Sequence, residues 1–79
     1  MNIDHMIKMV NEIGAFWQGE LGPEKGPAEV ASHLRKYWEP RMRKQMIAYL
    51  AERHGAGLSD MALAAVTILR DEAAKVQPA

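Results

Sequence analysis

His33-Leu34-Arg35-Lys36-Tyr37-Trp38-Glu39-Pro40-Arg41-Met42-Arg43-Lys44 sets five cations, two large aromatics and a proline side by side in a chain of zero formal net charge. Val30, Ala31, Leu34, Tyr37 and Trp38 fall on one face of a helix, with Arg35 and Lys36 on the other. Pro40 disfavours the α conformation at Glu39, so that helix should stop there. Pro40 is also suited to the first turn of a following helix, where its missing N–H costs nothing. The stretch therefore predicts two helices meeting at a stiff corner.

Downstream of the corner, Met42, Met46, Tyr49, Leu50 and Arg53 trace one stripe with Ile47 on its flank, and Gly55 and Gly57 should end the helix. Leu58-Ser59-Asp60 then opens a last helix. Ser59 is placed to cap it, Asp60 to sit favourably at the positive end of its dipole, and Leu58 to staple against Leu63. Leu63, Val66, Ile68 and Leu69 give that helix a broad apolar surface, and its alanines allow close approach. The tail from residue 76 should fray.

Upstream, Asn2 or Asp4 can cap a first helix. Its apolar stripe is Ile3, Met6, Ile7, Val10, Ile13 and Trp17, widened by Met9 and Phe16. Gly14 inside this helix marks close packing against another element, and Gly19 suits a left-handed C-terminal cap. Residues 19–27 hold three glycines and two prolines and read as a loop. The expected fold is all-α: a single helical-bundle domain over residues 1–79, with about four helices near 3–18, 27–39, 40–54 and 59–75. Trp17, Leu34, Trp38, Leu50 and Val66 should be buried in it, together with most of the methionines, whose flexible thioethers fill irregular interiors.

The whole chain is close to the lower size limit for one self-sufficient core. It has no cysteine, which excludes disulfides and cysteine-held zinc or iron–sulfur centres. The longest apolar run, Met61 to Val66, is far too short to span a bilayer, and no signal-peptide pattern opens the chain, so a cytoplasmic location is expected. Ten acids balance ten bases, which removes any global electrostatic case for nucleic acid. The balance is uneven: residues 1–34 carry five acids and two bases, residues 35–53 six bases and two acids.

Catalytic constellations are absent from the sequence. His5, His33 and His54 are scattered with no paired spacing, so no metal site is expected. Neither Ser32 nor Ser59 has the oriented base and oxyanion hole that acyl transfer requires. Lys25 beside Gly26 lacks the glycine spacing of a phosphate-binding loop. What remains is the basic–aromatic segment. Its cations either solvate the outer helix faces or form a contact surface, for which arginine's planar fork is well suited.

The string His33 to Arg43 resembles the H-[IL]-R-K-[FY]-W-[DE]-P-R-M-R-like signature of the delta subunit of NAD-dependent, molybdenum-containing formate dehydrogenases. An N-terminal helix containing Met6-Ile7-Lys8-Met9-Val10-Asn11-Glu12-Ile13 and a Gly-Leu-Ser entry to the final helix extend the resemblance over about residues 3 to 69. The resemblance implies a non-catalytic accessory subunit of a cytoplasmic complex that oxidises formate and reduces NAD. It implies that molybdenum on a pterin guanine dinucleotide, iron–sulfur clusters, FMN and NAD are held by other subunits, with none in this chain. Its partner would be the catalytic alpha subunit, contacted through Arg35, Lys36, Tyr37, Trp38, Pro40, Arg41 and Arg43. Two alternatives stand beside it: a small nucleic-acid-binding helical protein, since two helices at a corner resemble a helix-turn-helix, and a free-standing helical dimer acting as an adaptor.

Overall fold

The computed structural model describes residues 2–76 and contains three α-helices, α1 (Ile3–Tyr37), α2 (Pro40–Arg53) and α3 (Asp60–Val76). Among these residues there is no strand. The all-α expectation holds, but the count of about four helices is corrected to three. Residues 19–27 are not a loop. Helical backbone runs through Gly19, which is therefore no C-terminal cap, and it breaks only at Gly22 (φ 82°, ψ 174°). That conformation belongs to a region of backbone space that only glycine enters readily. Pro23 then starts the second segment of α1, and Pro27 forfeits a single intrahelical bond, to the carbonyl four residues back.

The break at Gly22 is a sharp one. A straight helix of 35 residues would be about 52 Å long, whereas the longest dimension of the molecule is 38 Å. The two segments of α1 fold back towards each other and grip α3 between them. Met61 of α3 fills the contact: a Cβ placed on Gly14 would lie 3.1 Å from Met61 Cγ, and one on Gly26 would lie 2.7 Å from Met61 Cε. Both glycines are buried. Gly14 thus has the close-packing role expected of it, and Gly26 shares it from the other segment.

Around this contact Met6, Val10, Val30, Ala31, Leu34, Met46, Ala65 and Val66 are sealed from solvent, with Trp38, Leu50 and Leu69 nearly so. Four of the five residues expected in the core are there. Trp17 is only half-buried, packed against the core's edge. Tyr37, placed on the same stripe as Leu34 and Trp38, is turned out to solvent with 71% of its surface exposed. Its neighbour Trp38 leaves the helix in extended conformation (φ −87°, ψ 141°), so the two rings diverge at the point where α1 ends.

The helix ends follow local chemistry. Asn2 Oδ1 accepts the Asp4 N–H at 2.8 Å, and Ser59 Oγ accepts the Ala62 N–H at 3.2 Å, so both are caps. His54 closes α2 in the left-handed conformation, followed by Gly55 and Gly57 at positive φ. Asn11 then ties this turn to α1. Its Nδ2 donates to the Gly57 carbonyl at 2.9 Å, and its Oδ1 accepts the Ser59 N–H at 2.9 Å. Val76 closes α3, and the rest of the tail expected to fray lies outside the described residues.

Candidate functional site

The basic corner is built where α1 stops and α2 starts. Pro40 occupies the first turn of α2, and the carbonyl of Glu39 accepts the Met42 and Arg43 N–H groups at 2.9 and 3.2 Å. Trp38 caps the end of α1, its N–H donating to the Leu34 carbonyl at 3.0 Å, and its side chain is 6% exposed. The turn is held from below by an indole and from within by a proline ring, which leaves little freedom to the residues it presents.

The cations of the corner do different things. Arg43 is half-buried and points back at the end of α1. Its Nη1 donates to the carbonyls of Trp38, Arg35 and Leu34 at 2.5, 3.2 and 3.5 Å. The Trp38 and Arg35 carbonyls are among those that the end of a helix leaves without main-chain partners, at the negative end of its dipole, while the Leu34 carbonyl already accepts the Trp38 N–H. Arg35 turns the other way. Its Nε and Nη2 form a fork on Glu72 of α3, 2.8 and 3.1 Å from the two carboxylate oxygens. Both side chains are more than 40% exposed, so the pair stabilises by at most about 1 kcal/mol. It does tie the corner to α3.

Lys36, Arg41 and Lys44 are exposed, and among the described residues none of them makes an ion pair or a side-chain hydrogen bond. Tyr37 stands between Lys36 and the corner with its ring 4.6 Å from that of His33. Of the seven residues named from the sequence, Lys36 and Arg41 are unengaged at the surface among the described residues, Tyr37 is exposed with its ring beside His33, and Arg35 is exposed but paired with Glu72. Pro40 shapes the corner, while Trp38 and Arg43 hold it together from inside. Arg43, named among the contact residues from the sequence, directs Nη1 of its guanidinium to main-chain carbonyls.

Two further surface features lie near it. Pro40, Ile47, Leu69 and Ala73 line a groove between α2 and α3 whose charged lining is Arg35, Arg43, Lys44 and Glu72. On the outer face of α1, Phe16 is 60% exposed and meets Trp17 edge to face, ring centres 5.1 Å apart. Glu12, Ile13 and His33 complete a shallow hollow there. The sequence pattern puts Trp17 on the core stripe and Phe16 on its flank. Neighbours on a helix point about 100° apart, and here Trp17 packs against the edge of the core while Phe16 is turned outward. Among the described residues no group of three or more His, Cys, Asp or Glu is gathered to hold a metal ion. No described helix is long and apolar enough to cross a membrane.

A family model described as the NADH-dependent formate dehydrogenase delta subunit, FdsD, matches residues 5–66, well over half of the chain and the whole of the basic corner. The chain belongs to this family. No curated protein and no solved structure matches it. The delta-subunit match runs from the first turns of α1 through Met61 to Val66, and so takes in both glycines that enclose Met61. Membership makes the protein a subunit of a formate dehydrogenase complex. Leu69, Glu72 and Ala73, the α3 side of the groove, lie beyond the matched residues.

Proposed function

We propose that this chain is a non-catalytic accessory subunit that binds and stabilises the molybdenum-containing catalytic alpha subunit of a cytoplasmic, NAD-dependent formate dehydrogenase. The match to the delta-subunit family carries the reading. In it, the molybdenum centre, iron–sulfur clusters, flavin and NAD belong to other subunits, and this chain contributes a surface. The lack of cysteine supports that division of labour for iron–sulfur clusters, which are held by thiolates.

The contact surface in this reading is the outer rim of the corner: Lys36, Tyr37 and Arg41, with Arg35 beside them. Its shape is set before any partner arrives. Pro40 limits the backbone, Arg43 closes the end of α1, and the Arg35–Glu72 fork joins the corner to α3. Preorganisation matters because each flexible side chain ordered on binding costs about 0.5–1.5 kcal/mol. A subunit that binds only the folded catalytic chain stabilises it by mass action, by about 2.7 kcal/mol at a hundredfold excess over Kd. Nucleic acid is disfavoured, because two of the five cations of the corner are turned to carbonyls and to Glu72, leaving three to meet phosphates.

The test is affinity capture of the tagged chain co-expressed with the alpha, beta and gamma subunits, with metal and flavin analysis of the eluate. The expected result is stoichiometric alpha subunit, formate-dependent NAD reduction by the captured complex, and none by the isolated chain. Capture of nucleic acid without enzyme subunits, or formate oxidation by the isolated chain, would overturn the proposal.

A further inference from the structure

We infer that the groove between α2 and α3 receives an acidic amphipathic helix of a partner protein, whose apolar side chains rest on Ile47, Leu69 and Ala73 and whose carboxylates meet Lys44 and Arg35. This rests on the accessory-subunit reading and adds to it the chemistry of the segment that is bound. Three observations support it: the form of the groove, the sign of its lining, and the hydrogen-bond donors left in it.

The form is that of two helices with a trough between them. Ile47 lies one turn beyond Arg43 and Lys44 on α2, and Leu69 and Ala73 are one turn apart on α3. Side chains spaced by one helical turn on both walls suit a third helix, which presents its own apolar residues at three- and four-residue spacing. Arg35, from the last turn of α1, lines the same trough. The charge count is three cations against Glu72 alone. An occupant with carboxylates flanking an apolar stripe is complementary to that lining, whereas a basic or hydroxyl-rich one is not.

The donors point the same way. The Lys44 ammonium has three N–H groups and, among the described residues, no hydrogen-bond or ion-pair partner. Arg35 has five N–H groups and directs one from Nε and one from Nη2 to Glu72, which leaves both N–H groups of Nη1 and one of Nη2. A second carboxylate can therefore be accepted without displacing Glu72. The Glu72 fork would hold the guanidinium plane in place for it.

The experiment uses the chain co-expressed with the alpha, beta and gamma subunits. A photoreactive benzoylphenylalanine replaces Ala73, and cross-linked peptides are identified by mass spectrometry. Lys44→Glu, at an exposed side chain with no internal partner, is compared with the parent for retention across a salt series, with helicity checked by circular dichroism. The expected results are a cross-link to a stretch of another subunit in which Asp or Glu flank apolar residues at helical spacing, and a loss of affinity of about tenfold or more for Lys44→Glu at low salt. A cross-link to a second copy of this chain, to a basic stretch, or to nothing in a complex that still assembles would overturn the groove's assignment and leave the accessory role standing. Unchanged retention of Lys44→Glu would do the same. Failure of the parent chain to co-purify at all would instead remove the accessory reading, and this inference with it.

Discussion

Arg43 Nη1 donates to the main-chain carbonyl of Trp38, so a side chain from the first turn of α2 closes the end of α1. The same nitrogen lies 3.2 Å from the Arg35 carbonyl. Removing the guanidinium leaves part-buried carbonyls facing a vacated space, and a hydrogen bond to a charged group is typically worth about 1.5–3 kcal/mol. Arg43→Ala should therefore lower stability by about 1.5 kcal/mol, read as a shift in the urea midpoint followed by circular dichroism. Arg43→Lys should recover only part of it, because an ammonium keeps the charge but not the planar fork. An Arg43→Ala midpoint equal to the parent's would show that the cap is decorative.

Gly22 and Gly19 should respond to alanine with opposite signs. A Cβ at either position would meet nothing within 4 Å, so packing does not enter. Gly22 holds φ 82° and ψ 174°, a conformation that costs a residue with a Cβ about 1–3 kcal/mol. Gly19 lies in regular helix, where alanine is favoured by about 1 kcal/mol. Thermal melts of Gly22→Ala and Gly19→Ala should move down and up from the parent. Two shifts in the same direction would mean that the break in α1 is elsewhere.

This pair also shows why part of the fold could be read from the sequence and part could not. The Pro40 corner and the Asn2 and Ser59 caps are legible because each is settled within a few residues by backbone chemistry. Residues 19–27 contain several glycines and prolines that look equivalent along the chain. Which of them must bend is decided by how the two segments of α1 close on Met61, a contact between residues far apart in sequence. The same holds for the basic segment. Its composition marks a special surface, yet nothing local says that Arg35 will meet Glu72, 37 positions away, or that Arg43 will turn inward. Asn11, which binds the turn before α3 from 46 and 48 positions away, carried no signal for the same reason.

Gly26 and Met61 should be energetically coupled. An alanine Cβ at Gly26 would fall 2.7 and 2.8 Å from the Met61 Cε and Sδ, so the thioether must swing away. Met61→Ala empties that space and, with Met61 only 4% exposed, should cost about 2–5 kcal/mol. In the Met61→Ala background the added methyl of Gly26→Ala fills part of the cavity and gains helix propensity. A double-mutant cycle by urea unfolding should give a favourable coupling of about 1 kcal/mol or more. Additive free energies would mean that the two residues do not share this space.

The rim of the corner should matter to the complex and not to the fold. Tyr37 is 71% exposed, and Lys36 and Arg41 make no internal ion pair, so alanine at any of them should leave the unfolding midpoint within about 0.5 kcal/mol of the parent. Tyrosine and arginine are the residue types that most often dominate an interface, and truncating such an anchor typically costs about 2 kcal/mol or more. Tyr37→Ala and Arg41→Ala should each weaken binding to the catalytic subunit about thirtyfold. Lys36→Ala, a strongly hydrated cation at the edge, should lose only a few-fold, and mostly at low salt. The measurement is retention of the chain by tagged catalytic subunit over a salt series. If a Lys36, Tyr37 and Arg41 triple alanine variant is retained at parental stoichiometry in both low and high salt, the rim is a solvated surface and the contact lies elsewhere on the molecule.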